Sequence, residues 1–333
     1  MRFATITYAG RAGAAVLTND GAHPLPDLSV EQLVAMGLED ALAVGEETLR
    51  QAPPVPPSEV RLQVPLRPST IRDFVAFEEH VVGVRRSVDG QGGVPPEWYA
   101  APTFYFTNPH RILGDGDEVA VPGGSQALDL ELEVAAVVGT RGSDLTPDEG
   151  ESVIFGYTIF ADWSARDLQS REMKVGLGPC KGKDFASTLG PWIVTADELA
   201  HRRDGDGFLD LACTVEINGE VVGEDLLDHV GWTFGSLVAY ASRDSVVVPG
   251  DVLGSGTVGN GGCLAELWGR RGRQEPRPLR PGDEVRLTVE GLGTLTSRIA
   301  RGHETPAIPA ARIVPQSERE RRREQRFGRG SVL

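Results

Sequence analysis

Lysine is nearly missing from this chain of 333 residues: of 33 basic residues thirty are arginine, and Lys174, Lys181 and Lys183 are the only lysines. Positive charge is in deficit altogether, with a formal net charge of −15. A chain so acidic offers no overall positive field to nucleic acid, and an anionic membrane would repel most of its surface. Cysteine is scarce too. Cys180, Cys213 and Cys263 are odd in number, widely spaced and free of any CxxC pair. That pattern excludes a disulfide framework and leads us to expect reduced thiols and a cytoplasmic protein. The six histidines contain no HxxxH or HxH spacing, so zinc is not expected. No apolar run approaches transmembrane length, and the opening MRFATITYAG reads as a strand rather than a signal-peptide core.

What is present is mostly strand. The length suits one large domain with a smaller companion. Residues 1–65 are expected to form a small β-rich domain: MRFATITYA and AAVLT read as strands, and Asn19-Asp20-Gly21 marks a turn. The helical spacing of SVEQLVAMGLEDALAVGEETLRQ follows, ending at the stiff connector APPVPPSE. Residues 66–312 are expected as the main domain, rich in short β runs such as ELEVAAVVG, SVIFGYTIFA and DEVRLTVEG. ARDLQSREM and WTFGSLVAYAS are its better helix candidates, and strands do not alternate with helices. The fold class expected is therefore mixed β/α and mostly β. Residues 313–333, with SERERRREQRFGRG, read as a charged, solvated tail.

Two glycine motifs are decoys. Gly254-Ser255-Gly256-Thr257-Val258-Gly259 spells GxGxxG, but Asn260-Gly261-Gly262 is a poor helix start where a dinucleotide site needs one. Gly178-Pro179-Cys180-Lys181-Gly182-Lys183 has one residue too few for a P-loop, and Asp184 stands where a Ser or Thr is required.

The acids carry more. In Leu128–Val134 strict alternation sets Asp129, Glu131 and Glu133 on one strand face, with neighbours roughly 7 Å apart, close enough to converge on one cation. Asp162 closes a long apolar run, and Ser164-x-x-Asp167 after it has the form of a capping box. Arg166 and Gln169 are three apart and share a helix face. Asp73 and His80, seven apart, would lie two helical turns from each other. Acids without metal-spaced His or Cys favour an oxygen-ligand site for magnesium, with manganese or calcium as alternatives. Three lysines within ten residues suggest that this segment needs a compact ammonium where the arginine fork will not fit.

In order along residues 65 to 310, these segments resemble the fumarylacetoacetate hydrolase family. Asp73 to His80 resembles its D-x6-H element, and Glu131 and Glu133 resemble its strand glutamates. Asp162 through Gln169 with Gly182-Lys183, and Gly256-Thr257 with Glu266, are similar to its two later motifs. The resemblance implies a fumarylacetoacetate-hydrolase-type β-roll with a small N-terminal β domain, usually dimeric. It implies that Asp73, Glu131, Glu133 and Asp162 hold the cation. His80, oriented by Glu266, would deprotonate water; Lys183, Arg166 and Gln169 would stabilise oxyanion charge; Tyr105 and Thr257 would line the substrate pocket. The activity implied is hydrolysis of a carbon–carbon bond in an acylpyruvate or 1,3-diketone. Decarboxylation, hydration or keto–enol isomerisation through an enolate is the alternative, and a non-catalytic protein with a structural cation is a third. Fumarylacetoacetase carries tyrosines at positions similar to Val75 and Met173, so this pocket is more apolar. Gly83 stands where some relatives place a glutamate three residues after the histidine.

Overall fold

The strand that continues the acid alternation of residues 128–134 is covered on both faces. In the computed structural model, which describes residues 1–88 and 90–328, every residue of the strand Leu132–Val138 is buried. Leu132, Val134, Ala136 and Val138 enter one hydrophobic core, while Ala135 and Val137 enter another. A period-2 element placed between two cores needs apolar residues throughout, and that is what AAVV supplies.

Residues Met1–Gly302 form one compact unit and His303–Leu333 another. The first is built on an eleven-stranded sheet. Its central strands run Ser187–Thr195, Ile154–Asp162, Leu132–Val138, Val252–Gly254, Ile71–Phe74 and Phe104–Thr107, in that spatial order. Neighbours are antiparallel except Val252–Gly254 beside Ile71–Phe74, which is parallel. A second sheet of five strands contributes Val215, Leu287, Val289, Leu295 and Ile299 to the first core, so that core lies between the two sheets. The helices Val30–Met36 and Leu38–Gln51 cover the opposite face with Val30, Leu33, Val34 and Ala41. They were expected as one helical stretch; Gly37, at φ 89°, separates them.

The N-terminal segment shares a sheet with the rest of its unit. Arg2–Tyr8 pairs antiparallel with Ser187–Thr195, placing Arg2 opposite Val194. In the second unit Gln316–Phe327 is a helix with no buried residue; the last five residues of the expected tail lie outside the described ones. No described helix is long and apolar enough to cross a membrane.

Two local expectations need correction. Asp73 and His80 do not share a helix: Asp73 lies in a strand, Ile71–Phe74, and His80 in the first turn of a helix, Glu78–Val88. The chain turns between the two elements rather than continuing one of them. The Ser164/Asp167 capping box does not form. The helix Arg166–Met173 has no side-chain cap, and Asp167 instead accepts from Ser125 Oγ and the Gln126 amide, both at 2.7 Å. Ser164 pairs in a two-stranded ladder opposite Asp129.

Candidate active site

Three strands of the large sheet each carry an acid toward one place. Asp162 closes Ile154–Asp162, Glu133 lies near the start of Leu132–Val138, and Asp73 lies in Ile71–Phe74. Period-2 alternation puts Glu133 on the face of Ala135 and Val137, and Asp162 on the face of Phe160. The three carboxylates bring ligand oxygens within 4.8 Å of one another. The strand between Glu133 and Asp73 presents Gly254, opposite Ala135 on one side and Asp73 on the other. A Cβ at Gly254 would stand 2.8 Å from Asp73 Oδ1 and 2.8 Å from Glu133 Oε2. The first glycine of the false dinucleotide motif is thus required for a different reason: it leaves room for a carboxylate cradle.

Such a cradle is costly without a cation. Asp73, Glu133 and Asp162 are buried, and Asp73 Oδ1 and Asp162 Oδ1 have no hydrogen-bond partner. Burial pushes all three carboxyls above the usual carboxylate range, and the Asp73 charge adds to the effect on Glu133. An all-oxygen donor set with orphaned oxygens suits a hard divalent ion. We predict that Gly254→Ala raises the magnesium concentration needed for half-saturation by about tenfold, roughly 1.4 kcal/mol, with the fold retained. Calorimetric titration of the variant against wild type tests it, and unchanged affinity would show that the cradle is not at Gly254.

A positive layer lies against the acids. Lys183 Nζ donates to both Glu131 and Asp162. Arg166 donates from Nε to Asp129 at 2.8 Å, from one terminal nitrogen to Glu131 at 2.7 Å, and from the other to Gln169 at 3.0 Å. Burial opposes ionisation of Glu131, but Lys183 and Arg166 beside it hold its carboxyl well below the usual range. Tyr105 donates its hydroxyl to Asp162 at 2.5 Å, and Thr257 donates to Glu133 at 3.3 Å. The Gly256 amide also reaches Glu133, at 3.0 Å.

The lysine cluster separates by environment. Lys181 is exposed and pairs with Asp184 at 2.7 Å, whereas Lys183 is buried. The turn delivering Lys183 is held by Glu172, which accepts from the amides of Cys180, Lys181 and Gly182 at 2.6, 2.8 and 3.0 Å. Gly182 must be glycine for the turn to close, since a Cβ there would meet the Gln169 amide nitrogen at 2.7 Å.

His80 is buried, and burial pushes its imidazole down to about 4, so it is neutral near pH 7. Its Nε2 lies 3.9 Å from Glu131 Oε1, and its Nδ1 lies 3.6 Å from Cys263 Sγ. The expected partner, Glu266, is elsewhere: it pairs with Arg270 at 2.7 Å and accepts from the Gly261 amide at 3.3 Å. The helix Leu264–Arg271 turns Glu266 toward Gly83, where a Cβ would come within 2.4 Å of it. Glycine three residues after the histidine is therefore a packing requirement. Glu131 lies beside both groups: Lys183 Nζ links it to Asp162 of the triad, and its Oε1 lies 3.9 Å from His80 Nε2.

A cavity of about 300 Å³ opens on His80, walled by Val75, Val81, Val84 and Trp98, with Arg85 and Glu97 among its lining. A larger one, about 490 Å³, lies between Arg2, Arg61 and Trp192 and contains none of these groups.

Residues 69–300 match the family model described as Fumarylacetoacetate (FAA) hydrolase C-terminal. The chain belongs to the fumarylacetoacetate hydrolase family. Its similarity extends to the mitochondrial oxaloacetate tautomerase FAHD2A of Homo sapiens, at 31% identity over 293 residues, 86% of this chain and 84% of that protein. Among solved structures it is similar to 5-carboxymethyl-2-hydroxymuconate delta-isomerase from Mycobacterium smegmatis, with TM-score 0.65 and 25% identity, covering 91% of this chain and 100% of that one. It shares the fold of maleylpyruvate hydrolase from Sphingobium, solved with manganese and pyruvate, with TM-score 0.68 and 20% identity over 91% of this chain and 100% of that one. The mixed, mostly β fold expected from the sequence is the fold of this family, and the family contains both hydrolases and isomerases.

One residue of the site received no role of its own from the sequence, and another was missed. Asp129 accepts from Arg166 and from the Leu264 and Ala265 amides at 2.8 and 3.0 Å. The acid alternation pointed at it, but only the fold shows the helix N-terminus it satisfies. Cys263 left no signal; it is a single cysteine after a glycine run.

Proposed function

We propose that this family member cleaves a carbon–carbon bond beside a ketone, hydrolytically, in an acylpyruvate or 1,3-diketone, with a divalent cation held by Asp73, Glu133 and Asp162. The supporting observation is the buried carboxylate triad with two orphaned oxygens, set directly against Lys183. When bound, magnesium, manganese or calcium there supplies Lewis acidity to the substrate's two oxygens. His80 Nε2 takes a proton from water, and the hydroxide attacks the carbonyl beyond the bond that breaks. The bond's electron pair leaves on the enolate carbon and oxygen, where Lys183 neutralises developing charge. His80 then returns its proton to the enolate carbon. Arg166 and Gln169 hold the Glu131 layer that fixes Lys183. Tyr105 and Thr257 hold Asp162 and Glu133 by hydrogen bonds, beside the substrate pocket they are expected to line. The apolar wall of Val75, Val81, Val84 and Trp98 suits the acyl group. A cytoplasmic homodimer completes the proposal, with light scattering as its check.

A second reading has its own support. Among the described residues no hydrogen bond or ion pair joins Glu266 to His80, and without that partner His80 suits proton shuttling at the carbon beside the ketone, as keto–enol tautomerisation requires. The test is turnover of acylpyruvates and of oxaloacetate with magnesium. Pyruvate release from acylpyruvates supports hydrolysis. Loss of enol absorbance without cleavage supports tautomerisation, and inertness to both sets supports a structural cation.

The pH dependence follows from the raised triad. A proton and a cation compete for the same oxygens, so cation affinity falls as pH falls. His80, neutral down to about 4, does not set the acid limb. We predict that the acid limb of activity moves to lower pH as magnesium is raised. A limb indifferent to magnesium would contradict this.

A further inference from the structure

We propose that Cys263 is the positioning residue of His80: its sulfur accepts from Nδ1–H and so keeps the Nε2 lone pair free to take a proton. The inference rests on the base role of His80 proposed above. It gives to a thiol the orienting part that the family resemblance implies for Glu266.

The ring nitrogens of His80 face different groups. Nδ1 lies 3.6 Å from Cys263 Sγ, within hydrogen-bond reach of sulfur. Nε2 lies 3.9 Å from Glu131 Oε1, too far for a hydrogen bond. Both Glu131 oxygens are already engaged, since Arg166 donates to Oε1 at 2.7 Å and Lys183 donates to Oε2. Nε2 is thus uncommitted, on a side chain that lines the cavity of about 300 Å³. Among the described residues, Cys263 is the one side chain hydrogen-bonded to His80. A neutral imidazole carries a single ring proton, and the hydrogen bond at one nitrogen decides which nitrogen holds it. A base that works through Nε2 needs the proton on Nδ1, where the sulfur receives it.

The sulfur is itself held in place. Cys263 is the N-cap of Leu264–Arg271, and its Sγ also accepts from the Glu266 amide at 3.4 Å. Asp129 takes the Leu264 and Ala265 amides at 2.8 and 3.0 Å, so the first turn of that helix is anchored through both residues. A backbone bridge joins Cys263 to Glu131 on its other side. Burial pushes the Cys263 thiol well above its usual range, so the sulfur stays uncharged near pH 7. It orients the ring without adding the negative charge that a carboxylate partner would bring.

The experiment reads the tautomer by NMR. Magnesium-loaded protein is prepared with histidine carrying the heavy nitrogen isotope, and the His80 signals are identified by their absence from His80→Gln. The expected result in the wild type is a protonated Nδ1 and a bare Nε2. In Cys263→Ala that form should lose its dominance. In Cys263→Ser, whose hydroxyl can both cap the helix and accept from the ring, it should recover. Kinetics should follow: kcat falls about tenfold in Cys263→Ala, the scale of one modest hydrogen bond, with KM and magnesium affinity near wild type, and most of the rate returns in serine. A proton on Nε2 in the wild type would mean that the thiol donates to Nδ1, and would overturn the proposal. A tautomer unchanged in Cys263→Ala would do the same, leaving Cys263 as a helix cap alone. A serine variant as slow as the alanine one would assign the loss to packing and also count against it. The wild-type spectrum needs neither turnover nor a folded cysteine variant, so it decides the tautomer even if the hydrolytic reading fails.

Discussion

Replacing His80 with alanine is expected to lower kcat by about 10²–10⁴-fold, the usual worth of a positioned general base, while magnesium affinity stays near that of wild type. The two halves of the expectation have separate structural grounds. His80 Nε2 faces Glu131 and the cavity, not the oxygens of Asp73, Glu133 and Asp162. Its loss therefore removes a proton acceptor without removing a ligand. Its neutral form is the stable one near pH 7, since burial disfavours the imidazolium. Steady-state kinetics with calorimetric titration of magnesium makes the check. Near-normal turnover in His80→Ala would refute the assignment. Glu266→Gln should have a milder effect, visible first in stability, because Glu266 serves Arg270 and the Gly261 amide.

The second large effect is expected at Lys183, where arginine should not substitute. Lys183→Arg keeps the charge but should lose roughly 100- to 1000-fold in kcat, the scale of one oxyanion donor. Lys183 Nζ is a compact ammonium placed between Glu131 and Asp162, and a planar guanidinium cannot occupy that point without moving one of them. Both acids are buried, so a displaced carboxylate would lose its charge partner where water cannot replace it. Lys174→Arg and Lys181→Arg are the controls. Lys181 is exposed and pairs with Asp184, and arginine can do the same. Equal losses in all three variants would mean that the segment, rather than one ammonium, matters.

The residues most legible in the sequence were those whose role is set by local pattern. Period-2 acids before an apolar run pointed to Asp129, Glu131 and Glu133, the end of another run pointed to Asp162, and the rarity of lysine pointed to the cluster that contains Lys183. The misreadings share a cause: local geometry was extended across a change of element. Asp73 and His80 were given one helix where the chain turns from strand to helix. Asp167 was given to a helix N-terminus but is taken by Ser125 and Gln126, about forty positions earlier. Glu266 was assigned to His80, yet its own helix turns it toward Gly83. Cys263 reaches His80 across 183 positions of sequence, a contact that no spacing rule anticipates.

The strand carrying Glu133 is buried at each of its seven positions and feeds both cores of its unit. Its amides can meet solvent only when the two cores come apart together, so their hydrogen exchange measures global opening rather than local fraying. A ligand bound to Glu133 is lost in that same event. Cation binding must then slow exchange throughout both cores by a common factor, because mass action weights the whole native state rather than one loop. An ion held by acids of three strands would act, in energy, as a fastener for the entire sheet.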